Sequence, residues 1–333
     1  MNKPYLLTVI SVPFDLGAGL RGASLGPDAI LQAGLARRLQ QIGHAVEAAD
    51  FVRLPLPPTR GRKPTPPAAP ATAQPLLPGQ ASTQPDTNAN ALVPPASRLK
   101  HLDEVAAINR ELAHQVAASA AGGRFPLVLG GDHSLAIGTI SGLAQVHRRL
   151  GVLWFDAHSD LNTAETSPSG NIHGMSLSAL LGKGHERLTQ LGGAAPKVRP
   201  EHVVLIGLRD LDPGEKALIA AEGIRCFTMH DIDMLGMAKV MEEAIRIVSR
   251  DTDGVHVSFD IDSVDPVEAP GTGTPVRGGL SYREAHLALE LLAEARIVTS
   301  AEFVEVNPTL ESDGRTAKLA VDLISSLLGE TIL

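Results

Sequence analysis

Short apolar segments alternate with amphipathic ones along most of the chain, and this alternation restricts the fold more than any other sequence feature. The apolar segments have the length of buried strands, and the segments between them have helical periodicity. Strands that are each followed by a helix tend to run parallel and to be covered by helices on both faces. The sequence therefore predicts an α/β fold with a doubly wound, mostly parallel eight-stranded sheet flanked by helices.

The same pattern gives approximate boundaries for each element. Strands are predicted at 6–12, 45–51, 126–129, 152–155, 203–206, 225–228, 255–259 and 300–304. Helices are predicted at 27–41, 102–121, 134–150, 173–181, 214–221, 233–249, 281–295 and 316–328. Two helix starts have further support, because Pro27 suits a first helical turn and Ser281 with Glu284 has the capping-box pattern.

One stretch interrupts the alternation. Residues 55–98 contain half of the chain's 24 prolines and few apolar side chains larger than alanine. Proline lacks a backbone donor, and such a composition does not bury enough surface to fold. We predict a single domain over 1–333 with a disordered surface insertion at 55–98. An insertion without activity is the simpler interpretation, and a proline-rich ligand for a partner at 64–67 is the alternative.

Charge and cysteine content limit the partners and the compartment. A formal net charge of −8 and a pI near 5.8 argue against binding to nucleic acid, which needs a basic face. Cys226 is the only cysteine, so nothing indicates an oxidising compartment. No apolar run approaches the ~20 residues of a membrane span, and residues 1–14 resemble a first strand rather than a signal peptide. These features predict a cytoplasmic protein with neither a nucleic-acid nor a membrane partner.

Potential metal ligands are concentrated in three short motifs, each at the end of a predicted strand. They are His133, Asp156, His158, Asp160, Asp260 and Asp262. Six ligands exceed what one closed zinc site uses, and oxygen-rich ligation without cysteine suits a pair of Mn²⁺ ions. Four carboxylates would repel one another unless two divalent cations balanced their charge. Co²⁺ and Ni²⁺ accept the same ligands, so the choice of metal stays open.

The position of these motifs also indicates how they are presented. Ligands of open parallel sheets bind beyond the carboxyl ends of the strands. Residues at i, i+2 and i+4 of an extended chain point the same way, so Asp156, His158 and Asp160 share one face if the chain stays extended. Asp260 and Asp262 have the same relation. Any one motif alone is equally typical of a helix or turn cap, and the sequence does not establish which strands are neighbours.

Longer segments around these motifs resemble the ureohydrolases, and among them the arginases, particularly the bacterial ones. The segments are Gly-Gly-Asp-His-Ser-Leu-Ala-Ile-Gly at 130–138, Asp-Ala-His-Ser-Asp at 156–160, Ser-Phe-Asp-Ile-Asp-Ser-Val-Asp-Pro at 258–266 and Gly-Thr-Gly-Thr-Pro at 271–275. The likeness runs from Val12 to the C-terminus, with the proline-rich stretch outside it. It implies an arginase-like three-layer sandwich, two Mn²⁺ per subunit, and hydrolysis of L-arginine to L-ornithine and urea.

The resemblance also implies a role for individual residues. One ion would be held by His133, Asp156, Asp160 and Asp260, and the other by Asp156, His158, Asp260 and Asp262. The cationic guanidinium resists attack by neutral water, and two cations lower the pKa of a bridging water to give hydroxide. Asp160 would carry a proton from that hydroxide to the leaving amine. Glu305 would orient the guanidinium, and His173 would shuttle protons to solvent.

Substrate recognition is implied by the loop that follows Asp160. Asn162, Ser169 and Asn171 match the neutral donors that arginases direct at the substrate α-carboxylate, and Asp212 matches the acid near the α-amino group. Each of these residues alone is an ordinary turn former. Together they favour L-arginine over agmatine, which lacks the carboxylate.

Three alternative functions remain open at this stage. Agmatinase, or another ureohydrolase of guanidino compounds, is the closest enzymatic alternative. A zinc deacetylase of similar fold would need a tyrosine near the site, whereas Tyr5 and Tyr282 lie outside the ligand motifs. A scaffold with a vestigial metal site is disfavoured because no proposed ligand is missing. By analogy with arginases, the expected assembly is a homotrimer or homohexamer.

Overall fold

The computed structural model describes residues 4–48, 52–53 and 99–332. In these ranges eight strands pair into one sheet that is parallel throughout, so the predicted fold class is confirmed. The strands are β1 (Leu6–Ser11), β2 (Ala45–Ala48), β3 (Phe125–Leu129), β4 (Leu150–Phe155), β5 (Val203–Leu208), β6 (Arg225–Thr228), β7 (Gly254–Asp260) and β8 (Val298–Val304). The predicted insertion at 55–98 and the end of the second predicted strand, 49–51, lie outside the described residues.

Eleven α-helices in the described ranges connect and flank the strands. They are α1 (Gly26–Gln32), α2 (Leu35–Gln41), α3 (Leu102–Ala121), α4 (Ala136–Leu143), α5 (Ser176–Leu180), α6 (Glu186–Thr189), α7 (Pro213–Glu222), α8 (Met229–Leu235), α9 (Met237–Val248), α10 (Tyr282–Ala295) and α11 (Arg315–Leu327). Among these described helices, none is both long and apolar enough to cross a membrane.

Several helix boundaries differ from the prediction for local reasons. The helix predicted at 27–41 is divided into α1 and α2 at Gly34, and the one predicted at 233–249 is divided into α8 and α9 at Gly236. Both glycines have positive φ, 102° and 76°, which helical backbone does not tolerate. The predicted capping box at Ser281 forms, because Ser281 Oγ accepts from the Glu284 backbone N–H and Glu284 accepts from that of Ser281.

The strand order is β2-β1-β3-β8-β7-β4-β5-β6, so β3 and β4, which are consecutive in the chain, are separated in the sheet. After β3 the chain leaves one half of the sheet and re-enters at β4, with β8 and β7 lying between them. A parallel sheet has its ligand crevice at such a switch point, beyond the carboxyl ends of the strands. The loops that follow β3, β8, β7 and β4 therefore meet at one edge.

Three stacked phenylalanines align the strands that end at this crevice. Phe155, Phe259 and Phe303 are register partners on β4, β7 and β8. Their ring centroids lie 5.2 Å and 5.1 Å apart, and all three side chains are buried. Aromatic pairs of this kind contribute about 0.5–1.5 kcal/mol beyond the burial of their surface. The stack brings Asp156 and Asp260, which follow directly in sequence, to the same level of the sheet.

Candidate metal centre

The loops after three strands bring the predicted ligands to the crevice. His133 begins a 3₁₀ turn after β3, Asp156 directly follows β4, and Asp260 is the last residue of β7. The turn at His133 is held by Asp132, whose carboxylate accepts from the backbone N–H of Ser134 at 3.0 Å and from that of Gly17 at 2.7 Å. Asp132 thus caps the turn that presents His133.

One imidazole lies among three of the predicted acids. His133 Nδ1 is 3.2 Å from Asp156 Oδ2, 3.1 Å from Asp160 Oδ2 and 3.2 Å from Asp260 Oδ2. All four residues are buried. His133, Asp156 and Asp160 offer ligand atoms within the mutual distances of a metal site. The residues from three distant segments of the chain therefore converge.

A second candidate site shares one acid with the first. His158 Nδ1 lies 3.3 Å from Asp156 Oδ1 and 3.2 Å from Asp262 Oδ2. Asp156, His158 and Asp262 form this second triad. Because Asp156 directs one oxygen toward each imidazole, it is placed to bridge two ions. The two overlapping triads fit a binuclear centre.

The extended rows of ligands expected from the i, i+2 spacing do not form. Strand β4 ends at Phe155, and Asp160 has a left-handed backbone with φ 53°. Asp262 lies in the 3₁₀ turn Ile261–Ser263, where its backbone N–H donates to Asp260 Oδ1 at 2.8 Å. Tight turns, rather than strand continuations, therefore direct these carboxylates to the crevice, since turns reverse the chain over few residues.

The electrostatics of the cluster favour bound cations. Burial raises the pKa of Asp160 and of Asp260 well above the usual range, and the charge of neighbouring acids adds to this effect. Burial also opposes ionisation of Asp156, but the flanking imidazoles outweigh it and lower the pKa of that group. Among the described residues, His133 Nδ1 and Asp160 Oδ2 are buried without a hydrogen-bond partner. This donor set fits divalent cations, which would stabilise the ionised acids.

Trp154 contacts two members of the first triad, His133 and Asp156, and the sequence did not indicate this role. Its ring stacks on His133 with centroids 4.2 Å apart. Its Nε1 donates to Asp156 Oδ2 at 3.0 Å. The indole thereby restricts the orientation of one imidazole and one carboxylate.

Buried polar groups behind His133 orient its ring and were also missed. His133 Nε2 lies 2.8 Å from Ser258 Oγ, and that hydroxyl donates to Glu302 Oε1 at 2.8 Å. Since Ser258 donates to Glu302, it accepts from His133, which places the proton of the neutral imidazole on Nε2. Nδ1 is then available as a metal ligand. Glu302 is a charged residue inside the predicted strand 300–304, and this position is the sequence feature that could have indicated a role for it.

Glu305 and His173, the two predicted catalytic residues outside the triads, contact each other. Glu305 Oε1 accepts from the backbone N–H of His133 at 2.8 Å and lies 3.1 Å from His173 Nδ1. The backbone of Glu305 is left-handed, with φ 64°, a conformation that costs a non-glycine residue about 1 kcal/mol or more. The carboxylate is thus held next to the metal-binding turn.

The pairing with Glu305 leads to a pH-dependent prediction for His173. Burial alone would lower the pKa of His173, but the hydrogen bond and charge of Glu305 raise it to about 9. A histidine with a raised pKa stabilises the fold below its unfolded pKa of about 6.5, and this contribution is lost as pH rises through about 9. Metal-free His173→Asn should therefore be less stable than the parent at pH 5.5, by up to about 3 kcal/mol.

Urea denaturation of both proteins from pH 5.5 to pH 10 measures this difference. We expect the stabilities to converge at the alkaline end, where the parent histidine is neutral. A difference that stays constant over the whole range would show that Glu305 does not stabilise a charged His173.

The four residues predicted to bind the substrate head group line one cavity of about 280 Å³ beside the triads: Asn162, Ser169, Asn171 and Asp212. Glu305, predicted to bind the guanidinium, is not among the residues that line it. Asn162 Nδ2 donates to Asp212 Oδ2 at 2.8 Å, and Lys100 Nζ donates to Asn171 Oδ1 at 3.0 Å. Within the described part of the chain, the cavity lining contains no tyrosine. That composition does not match the zinc-deacetylase alternative.

Two cavity residues were not assigned from the sequence. Thr274 Oγ1 donates to Asp262 Oδ2 at 2.9 Å. Thr274 lies in the Gly-Thr-Gly-Thr-Pro segment that carries the resemblance, but the sequence assigns it no role. Glu215 Oε1 accepts from Ser159 Oγ at 2.9 Å and from the backbone N–H of Leu161 at 3.1 Å. Glu215 therefore braces the turn that carries Asp160 from both sides.

The parallel sheet and the two overlapping candidate metal triads at its carboxyl edge indicate the class of this protein, an α/β protein with a metal-binding crevice. The model of the arginase family matches residues 6–329. Arginase of Bacillus caldovelox is 50% identical over 327 residues, 98% of this chain and 99% of that protein. Arginase of Brevibacillus brevis is 50% identical over 333 residues, 100% of each chain. The solved structure of Bacillus caldovelox arginase has a TM-score of 0.85 and 50% identity, covering 99% of this chain and 100% of the other. This chain belongs to the arginase family, the ureohydrolases that act on linear amidines.

Proposed function

We propose that the protein hydrolyses L-arginine to L-ornithine and urea, with two Mn²⁺ per subunit. The observation that carries the proposal is the pair of triads that share Asp156. The donor set of carboxylates and imidazoles suits Mn²⁺, and family membership supports the ureohydrolase chemistry. A cavity beside the triads is lined by neutral and acidic side chains that suit an amino-acid head group.

Each catalytic side chain has a distinct role in this proposal. Bound divalent ions supply the positive charge that lowers the pKa of an attacking water near the guanidinium carbon. Glu305, buried beside His133, pairs with the cationic guanidinium and orients it. Asp160 accepts a proton and delivers it to the leaving amine. His173, half-buried at the cavity wall, exchanges protons between the active site and solvent.

The six ligands divide as the resemblance implies. His133, Asp156, Asp160 and Asp260 would hold one ion, and Asp156, His158, Asp260 and Asp262 the other. The 3.2 Å separation of Asp260 Oδ2 from His133 Nδ1 supports its place in the first set. Its other oxygen accepts from the Asp262 backbone N–H, which keeps the two acids together.

Recognition of the substrate head group is proposed to select arginine. Asn162, Ser169 and Asn171 would donate to the α-carboxylate, and Asp212 would accept from the α-ammonium group; that all four line the cavity supports these roles. Hydrogen bonds to charged groups contribute about 1.5–3 kcal/mol each, so losing the carboxylate should weaken binding strongly.

A urea-release assay with added Mn²⁺ tests the substrate directly. L-Arginine, agmatine and 4-guanidinobutyrate are compared in parallel, and kcat/KM is expected to be at least about 100-fold higher for L-arginine. Agmatinase activity would reverse that order. Metal uptake without turnover of any of the three compounds would refute the enzymatic proposal.

The remaining parts of the proposal rest on the resemblance to arginases and on composition. We propose a homotrimer or homohexamer in the cytoplasm, with 55–98 as an insertion that has no activity of its own. Light scattering after size exclusion, on the full chain and on a variant lacking 55–98, tests both assembly and insertion. Equal assembly and equal turnover are expected for the two proteins.

A further inference from the structure

A guanidinium group beyond the end of β5 is enclosed by backbone carbonyls. Arg209 Nη2 donates to the carbonyl oxygens of Asp262 at 2.6 Å and Val276 at 2.8 Å. Nη1 donates to those of Gly207 and Ser263, both at 3.1 Å, and Nε donates to Val276 at 3.1 Å. These are neutral acceptors, so the arginine acts here as a multiple hydrogen-bond donor rather than as half of an ion pair.

The carbonyls belong to three separate segments, one of which carries Asp262 of the second triad. Gly207 is in β5, whereas Asp262 and Ser263 form the 3₁₀ turn after β7. Val276 follows Thr274, the residue whose hydroxyl donates to Asp262 Oδ2. Arg209 therefore connects the backbone of Asp262, a proposed metal ligand, with the loop in which Thr274 donates to the Asp262 side chain.

The surroundings of Arg209 suit a planar, forked donor. A Cβ added at Gly279 would lie 2.5 Å from Arg209 Nη2, so the space beside the guanidinium is closed. Guanidinium carries five N–H donors in fixed directions, whereas the lysine ammonium has three donors at a single point. Lysine would retain the charge and lose most of the carbonyl contacts.

We propose that Arg209 is a positioning residue for the metal ion held by His158 and Asp262. By binding these carbonyls, the guanidinium holds the 3₁₀ turn of Asp262 next to the loop of Thr274, and this keeps the Asp262 carboxylate within reach of His158. The inference rests on the proposed two-metal site, and it adds a residue that touches neither the substrate nor an ion. Outer contacts of this kind typically change metal affinity by about 10–100-fold when they are removed.

Calorimetric titration of metal-depleted Arg209→Lys with Mn²⁺ tests the inference without any turnover. We expect the second binding event to weaken by about 10–100-fold and the first to stay within about threefold of the parent. At limiting Mn²⁺, electron paramagnetic resonance should show isolated ions where the parent shows a coupled pair. Excess Mn²⁺ should restore kcat with L-arginine.

Arg38→Lys serves as the matched control. Arg38 makes a forked pair with Glu330, Nε to Oε1 at 2.6 Å and Nη2 to Oε2 at 2.9 Å, remote in sequence from every proposed ligand. This control should lose stability and keep both Mn²⁺ affinities. If Arg209→Lys behaves in the same way, the positioning role is refuted and Arg209 is merely structural.

A second variant covers the case in which Arg209→Lys does not fold. Thr274→Val keeps the guanidinium cage and removes the hydroxyl bond to Asp262, so it should weaken the same binding event by several fold. Unchanged affinity for both ions in Thr274→Val would overturn the inference. Failure of the parent to release urea, with two ions bound, would instead refute the proposed function alone.

Discussion

Asp160→Asn is expected to lower kcat for urea release about 10²–10⁴-fold, the usual contribution of a positioned acid or base. Asparagine has nearly the shape of aspartate, but its amide does not accept and return a proton. Asp160 Oδ2 is buried and 3.1 Å from His133 Nδ1, so the replacement also removes a charge from the first triad. Steady-state urea release at saturating L-arginine and Mn²⁺ measures the effect.

Metal analysis of Asp160→Asn separates the two roles of Asp160, proton transfer and metal ligation. A variant that retains two ions per subunit and loses turnover supports proton transfer, whereas loss of one ion assigns the defect to ligation.

His173→Asn is expected to lose only part of its kcat and to recover with added imidazole, because a small base can enter the cavity. Unchanged rates in both variants would rule out the proposed proton path.

Removal of metal is expected to have the second large effect, abolishing turnover and lowering the melting temperature. A ligand that binds only the folded state stabilises it by RT ln(1 + [L]/Kd), about 4 kcal/mol at 1,000 times Kd for each ion. Without ions, neighbouring buried carboxylates repel one another, and Asp160 and Asp260 retain protons against the usual preference.

Scanning calorimetry of chelator-treated protein, before and after return of Mn²⁺, measures this stabilisation. Mg²⁺ at the same concentration is the control, because it prefers oxygen ligands and water over imidazole. Full urea release by protein shown to be metal-free would contradict the two-metal proposal.

Helix boundaries show the limits of a local pattern. The apolar periodicity of 27–41 and 233–249 continues across Gly34 and Gly236, so it predicts one helix in each segment. The positive φ of each glycine depends on how the flanking helices pack, which local periodicity does not report. Conversely, the box of Ser281 and Glu284 involves only neighbours in sequence, and it was predicted correctly.

The candidate site shows the same division between local and distant information. The ligand types and their places after strands could be interpreted from the sequence, because buried acids at strand ends are unusual without a function. Trp154, Ser258 and Glu302 were missed because their roles depend on partners across the sheet. The carbonyl cage of Arg209 is equally invisible in sequence, since backbone acceptors carry no residue signature.

The sequence by itself determined the α/β class, the number of strands, and the chemical character of a carboxylate and imidazole site. Each of these follows from residue type and short-range periodicity. Only the tertiary structure decided that β3, β8, β7 and β4 lie side by side and that their ends bring His133, Asp156 and Asp260 together. The physical reason is that strand order arises from hydrogen bonding and packing between segments distant in the chain, which no local pattern specifies.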